Sequence, residues 1–232
     1  MLPLRDDIRT SRVAWMTWLL LAGNVAIFAW EVRLRMTGGP QAVAAFSRAF
    51  SFDPAAFAAS PASPTVWFTM LTAIFLHAGW VHLGGNMLYL AIFGDNIEDR
   101  LGPLRFLAFY LACGLLASLV QAAATGFPHT EMLGASGAIA GILGAYLVLN
   151  PRARVVTAIF IIFIVELARI PAWVLIGVWF LLQLGAGIAS IGAGAADTGV
   201  AYLAHVGGFL AGIALIAPAW LADRRRRGFA GW

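Results

Sequence analysis

Six stretches of apolar sequence, each close to the length that crosses a bilayer, leave this chain few choices of fold. A helix needs roughly 20 mainly apolar residues to cross the hydrocarbon core, at about 1.5 Å per residue. The qualifying segments are Val13 to Val32, Trp80 to Gly94, Leu104 to Ala124, Leu133 to Leu149, Ile170 to Ala189 and Val200 to Leu221. The second and fourth are short, which is tolerable where protein buries their ends or interfacial residues extend them. A further run, Val155 to Val165, lies between Pro151, Arg152 and Arg154 on one side and Glu166, Arg169 and Pro171 on the other, and is too short to span. Composition agrees: with 61% hydrophobic and 11% charged residues in 232, there is too little polar surface for a soluble domain. The expected fold class is all-α, a polytopic bundle of six transmembrane helices forming one domain over 1–232, with a large interfacial loop between the first and second spans.

The net charge of +4 comes with arginine as the only basic residue type apart from histidine, and the arginines sit beside apolar runs. Six spans place both termini in the cytoplasm. Arg5, Arg9, Arg12, Arg100, Arg105, Arg152, Arg154, Arg169 and Arg224 to Arg227 then collect inside, leaving Arg33, Arg35 and Arg48 outside, as the positive-inside rule requires. A seventh span would put the arginine tail on the wrong side. The expected location is therefore a multi-pass plasma (inner) membrane protein. These arginines record topology rather than a nucleic-acid surface. The first run is too long for a signal peptide and lacks a small-residue cleavage site before Trp30 and Glu31. Between the first two spans, Phe46 to Phe57 and Trp67 to Leu76 are expected as short interfacial helices.

Polar side chains inside a bilayer are costly and mark function. On the second span, HLGGNM sets His82 and Asn86 four residues apart on one helical face. The fourth span opens on GASGAIAG with Ser136, and the sixth carries His205 in AYLAHVGGFLAGI. Spans two, four and six enter from the same face, so these side chains share one depth near the outer surface. Gly134, Gly137, Gly141 and Gly144 on span four, and Ala204, Gly208 and Gly212 on span six, form small-residue faces that let backbones approach.

That cluster suits acyl transfer. Serine attacks a carbonyl once a base takes its proton, and histidine is the usual base near neutral pH. Ser136 is the expected nucleophile and His205 the base. His82, Asn86 and the Ser136 backbone N–H are candidate donors to the oxyanion. Glu131 and Asp197 fall in external loops, so a dyad is expected rather than a triad. His77 is expected to bond from its loop into span two, and His129 to be a surface residue. Asp95, Glu98 and Asp99 lie at the cytoplasmic end of span two, where solvation and pairing with Arg100 or Arg105 account for them. With Cys113 the only cysteine, no disulfide or cysteine metal site is available; no metal or cofactor is expected.

FLHAGWVHLGGNM, FGDNIEDRLG, GASG and AHVGGFLAG, in this order over about Trp67 to Ala217, resemble the rhomboid family of intramembrane serine proteases, whose bacterial members have a six-span core. The resemblance implies Ser136 as nucleophile, His205 as base, and His82 with Asn86 at the oxyanion. It implies substrates that are single-span membrane proteins, cut in or near their membrane segment, often after a small residue. It also implies that Glu98 holds helix ends together. Two positions depart from the pattern. Phe68 follows Trp67 where many members have arginine, and Ala140 stands four residues after the serine where many have an aromatic ring stacked on the histidine, so His205 must be oriented by something else. The alternative reading is a catalytically weak or inactive rhomboid-like protein that binds membrane proteins; such relatives usually lack the serine or the histidine, and both are present. A transporter would need polar residues along a full path, and the inner halves of spans two, four and six are apolar or glycine.

Overall fold

In the computed structural model, which describes residues 1–161, 164–193 and 200–229, helices dominate. The order is β1 (Leu2–Asp6), α1 (Trp15–Phe50), α2 (Pro54–Ala59), α3 (Pro64–Ala73), α4 (Trp80–Leu101), α5 (Pro103–Ala124), α6 (Ser136–Leu149), β2 (Arg154–Ile161), β3 (Ile164–Pro171), α7 (Ala172–Ala193) and α8 (Tyr202–Phe229). Proline begins α2, α3 and α5, where its missing N–H costs nothing. Gly102 closes α4 and leads into α5 at φ 78°, a left-handed conformation that favours glycine. Among the described residues, four helices are long and apolar enough to cross a membrane: those within Trp15–Phe50, Pro103–Ala124, Ala172–Ile191 and Tyr202–Ala222. The chain is a multi-pass membrane protein.

The shorter apolar helix α6 is central. Gly137 through Tyr146 are buried without a break. Protein therefore encloses α6, which frees it from matching the bilayer thickness. In the same core lie the fully buried Phe93, Ile97, Phe106 and Tyr110.

Several expected boundaries need correction. The span drawn from Leu133 begins as a helix only at Ser136, and Gly134 lies in the preceding turn at φ 120°. Phe46 to Phe57 is not one interfacial helix. Helix α1 runs to Phe50 through a kink at Gly39 and Pro40, and α2 starts separately at Pro54. The region between Val32 and Trp80 thus holds the end of α1 together with α2 and α3.

The all-α expectation is also corrected, because a three-stranded antiparallel sheet is present in the order β1-β2-β3. The apolar run after Pro151 supplies β2 and, with the residues that follow, β3, pairing Val156 with Arg169 and Phe160 with Val165. β-branched residues such as Val155, Val156, Thr157 and Ile159 favour extended backbone. Apolar side chains occupy both faces, so the alternation that announces a strand is missing. The N-terminal LPLRD completes the sheet, with Leu2 opposite Ala158 and Asp6 opposite Val155.

This sheet closes the end of the bundle opposite the N-termini of α4 and α6. Asp6 accepts hydrogen bonds from the Tyr146 hydroxyl at 2.6 Å and from Asn96 Nδ2 at 2.9 Å, joining β1 to the C-terminal parts of α6 and α4. Burial raises the pKa of the Asp6 carboxyl above its ordinary value.

Glu98 does what the family resemblance implied. Its buried carboxylate accepts from Met16 N at 2.9 Å, Thr17 N at 2.7 Å and Thr17 Oγ1 at 2.8 Å, satisfying N–H groups that the first turn of α1 leaves without partners. Glu98→Gln would turn an amide N–H toward one of those donors. We expect a loss of about 1–3 kcal/mol of stability, read as a lower thermal midpoint in detergent, with the site's chemistry intact in the folded fraction.

Candidate active site

Glycines bring α6 and α8 together. A Cβ on Gly208 would collide with the Gly137 carbonyl oxygen, one on Gly212 with the Gly141 carbonyl, and one on Gly144 with the Phe209 carbonyl. The two backbones are in contact along this seam, as the small-residue faces predicted. Gln121 of α5 adds a polar link, its Oε1 accepting at 3.0 Å from Ala204 N in the first turn of α8, an N–H that also reaches the Ala201 carbonyl at 3.1 Å. The next residue is His205.

Ser136 is the first residue of α6, and Ser136 Oγ donates to His205 Nε2 at 2.8 Å. Both side chains are half-buried. The other ring nitrogen, Nδ1, lies 2.7 Å from Gln183 Oε1 on α7. That oxygen can only accept, so the proton sits on Nδ1 and Nε2 is free to receive from serine. Trp179, one helical turn before Gln183, lies beside the imidazole with ring centroids 5.9 Å apart and planes at 35°.

Gly134 sets the distance between His82 and the serine. A Cβ there would lie 2.8 Å from His82 Nε2 and 3.9 Å from Ser136 Oγ. The turn is tied down by Gly134 N donating to the Ala73 carbonyl at 2.8 Å. His82 Nδ1 faces the backbone N–H of Ala78 at 3.5 Å, a long contact that leaves Nε2–H as the donor turned toward the serine turn. Asn86 is buried one turn further along α4, with its Nδ2 3.0 Å from His77 Nε2. Burial, more than the nearby His82, pushes His77 down to about 4, so it is neutral at pH 7 and its Nε2 accepts one amide hydrogen of Asn86. The second amide hydrogen is not used by that bond.

The four predicted side chains therefore all lie toward the N-terminal ends of α4, α6 and α8; Gly134 and Gly137 flank the serine, whereas Gly208 and Gly212 pack on the Gly137 and Gly141 carbonyls along the α6–α8 seam. His77 does bond from its loop into α4, and the exposed His129 pairs with Asp53 at 3.1 Å. Glu131 is engaged elsewhere, accepting from Ser47 Oγ at 2.8 Å, and Asp197 falls outside the described residues. Sequence reasoning missed Gln183, Trp179 and Gln121. The first and last are amides inside apolar helices, the same signal that picked out Asn86.

The resulting arrangement holds a serine hydroxyl in hydrogen-bond contact with an imidazole, with a second histidine close to the turn that leads into the serine. Known proteins bear on it directly. The Rhomboid domain model matches residues 64–221, more than half of the chain. Rhomboid protease GluP of Bacillus subtilis (strain 168) is 43% identical over 81 residues, which cover 35% of this chain and 15% of that protein. RHOMBOID-like protein 6, mitochondrial, of Arabidopsis thaliana is 32% identical over 162 residues, 60% of this chain and 52% of that one. Rhomboid-like protein 11, chloroplastic, of the same plant is 30% identical over 160 residues, 68% of this chain and 53% of that one. The chain spans no more than about half the length of these relatives. Its matched region runs from α3 through α7 and most of α8, with every residue of the site just described, and on this match the chain belongs to the rhomboid family.

Proposed function

We propose that this protein is an intramembrane serine endopeptidase that cleaves transmembrane segments of other membrane proteins with a Ser136–His205 dyad. The observation that supports this most is the 2.8 Å hydrogen bond from Ser136 Oγ to His205 Nε2. In the reaction, Ser136 Oγ attacks the scissile carbonyl carbon as its proton passes to His205 Nε2. The carbonyl oxygen gains charge and is met by donors from His82 Nε2, Asn86 Nδ2 and the Ser136 backbone N–H, which has no acceptor within its own helix. The C–N bond then breaks, with the histidine returning the proton to the departing amine. A water molecule, deprotonated by the same nitrogen, hydrolyses the acyl-enzyme and restores the serine.

The substrates are single-span membrane proteins, cut in or near the membrane segment. Six spans put both termini in the cytoplasm and open the site toward the outer face of the inner membrane, a topology that accords with the arginine distribution. The test is to incubate detergent-purified protein with a single-span model substrate, with and without a serine-directed inhibitor. Cleavage is expected only without inhibitor. Equal product in both would contradict the serine mechanism, and no product from folded protein would favour a binding relative that does not cleave.

Asn86→Ala separates transition-state from ground-state contacts. Removing one oxyanion donor in a soluble serine protease lowers kcat by roughly 10² to 10³. Here His82 and the Ser136 N–H remain, so the expected fall is smaller, about tenfold, with KM little changed. A strong rise in KM at constant kcat would move Asn86 out of the oxyanion site.

A further inference from the structure

Helix α7 is apolar almost throughout, yet Gln183 turns its amide inward to His205 while Leu181 and Leu182 beside it are each 65% exposed. A primary amide among apolar side chains costs free energy unless it is hydrogen-bonded. Its partner is the ring nitrogen of the dyad histidine that faces away from the serine, at 2.7 Å. Trp179 and Gln183 are four residues apart on one face of α7, so a single helical face supplies both the hydrogen bond and an aromatic neighbour of the imidazole, whose other ring neighbour is Tyr202 of its own helix. Where an aromatic ring could have stacked from α6, Ala140 is fully buried. The orientation of His205 comes from α7 instead.

We propose that Gln183 is a positioning residue that holds His205 in the Nδ1–H tautomer, making the site a neutral Ser136–His205–Gln183 relay rather than an unsupported dyad. This rests on the Ser136–His205 reading. The other tautomer would put a proton on Nε2 and leave the imidazole unable to accept from Ser136 Oγ. In a soluble serine protease, a histidine held in the wrong tautomer costs about 10⁴ in kcat. Gln183 carries no charge, so it fixes the tautomer and the ring plane without adding the electrostatic support for an imidazolium that a carboxylate gives.

The test compares wild type, Gln183→Leu, Gln183→Glu and Ser136→Ala in detergent, measuring kcat and KM on a single-span substrate. In parallel, nitrogen NMR of protein labelled at histidine, assigned by subtraction of a His205→Ala spectrum, reads the His205 tautomer. Gln183→Leu is expected to lower kcat by about 10- to 100-fold, less than the wrong-tautomer limit because Trp179 remains, with KM unchanged and with the Nδ1–H tautomer no longer dominant. Gln183→Glu, which keeps an acceptor at the same place, is expected to recover most of kcat and the tautomer. The proposal is overturned if Gln183→Leu keeps wild-type kcat, or if kcat falls while the tautomer stays as it was. Cleavage by Ser136→Ala would instead overturn the dyad itself, which keeps the two failures distinct.

Discussion

Ser136→Ala is expected to abolish cleavage while leaving the folded protein in place. In a soluble serine protease, loss of the nucleophile costs on the order of 10⁶ in kcat, so any residual rate here should fall below detection. Stability should change little. Ser136 is half-buried at the first position of α6, a place alanine fills well, and among the described residues its side chain bonds to His205 Nε2 at 2.8 Å. Losing one such bond is worth about 1 kcal/mol. Expression yield, thermal midpoint and cleavage rate, measured together, check it; cleavage at the wild-type rate would refute the assigned nucleophile.

Gly208→Ala should have the largest effect on stability. The added methyl would meet the Gly137 carbonyl oxygen, and a backbone atom inside a packed helix pair cannot turn aside as the end of a side chain can. Relief requires α8 to move away from α6, which carries His205 away from Ser136. We expect a loss of about 3 kcal/mol or more, with cleavage lost even in whatever fraction stays folded. Gly23→Ala on α1 is the control, since nothing lies within 4 Å of a Cβ there and alanine is the better helix former. Thermal midpoints of the two variants should move in opposite directions. A Gly208→Ala protein with wild-type midpoint and activity would contradict the packing described for the α6–α8 seam.

Much of the candidate site was legible because the bilayer makes polar residues conspicuous. Ser136, His205, His82 and Asn86 each interrupt an apolar segment at its N-terminal end, and that shared position puts them at one end of the bundle. The glycine faces were legible for a related reason, since only small residues permit backbone contact between helices. Gln183 was passed over although it interrupts α7 in the same way. It sits in the middle of its segment, so the comparison of helix ends that united the others did not reach it.

The sheet was hidden for a different reason. Val155 to Val165 has apolar residues on both strand faces, so neither a strand period nor a helix period stands out, and the partner strand β1 is remote in sequence. The turn that makes Gly134 part of the site, rather than of the helix, depended on a positive φ and on the nearness of His82, neither of which a sequence pattern reveals. Orientation of His205 was the open question left by Ala140, and its answer, Gln183 with Trp179, depends on how α7 packs against α8.

On the proposed mechanism, Ser136 is a nucleophile activated by His205. Treating the detergent-purified protein with a fluorophosphonate and mapping the adduct by peptide mass spectrometry tests it most directly. One phosphonyl group per chain on Ser136 is predicted, with labelling strongly slowed in His205→Ala and absent in Ser136→Ala. An adduct on another residue, or equal labelling of Ser136 in wild type and His205→Ala, would contradict it.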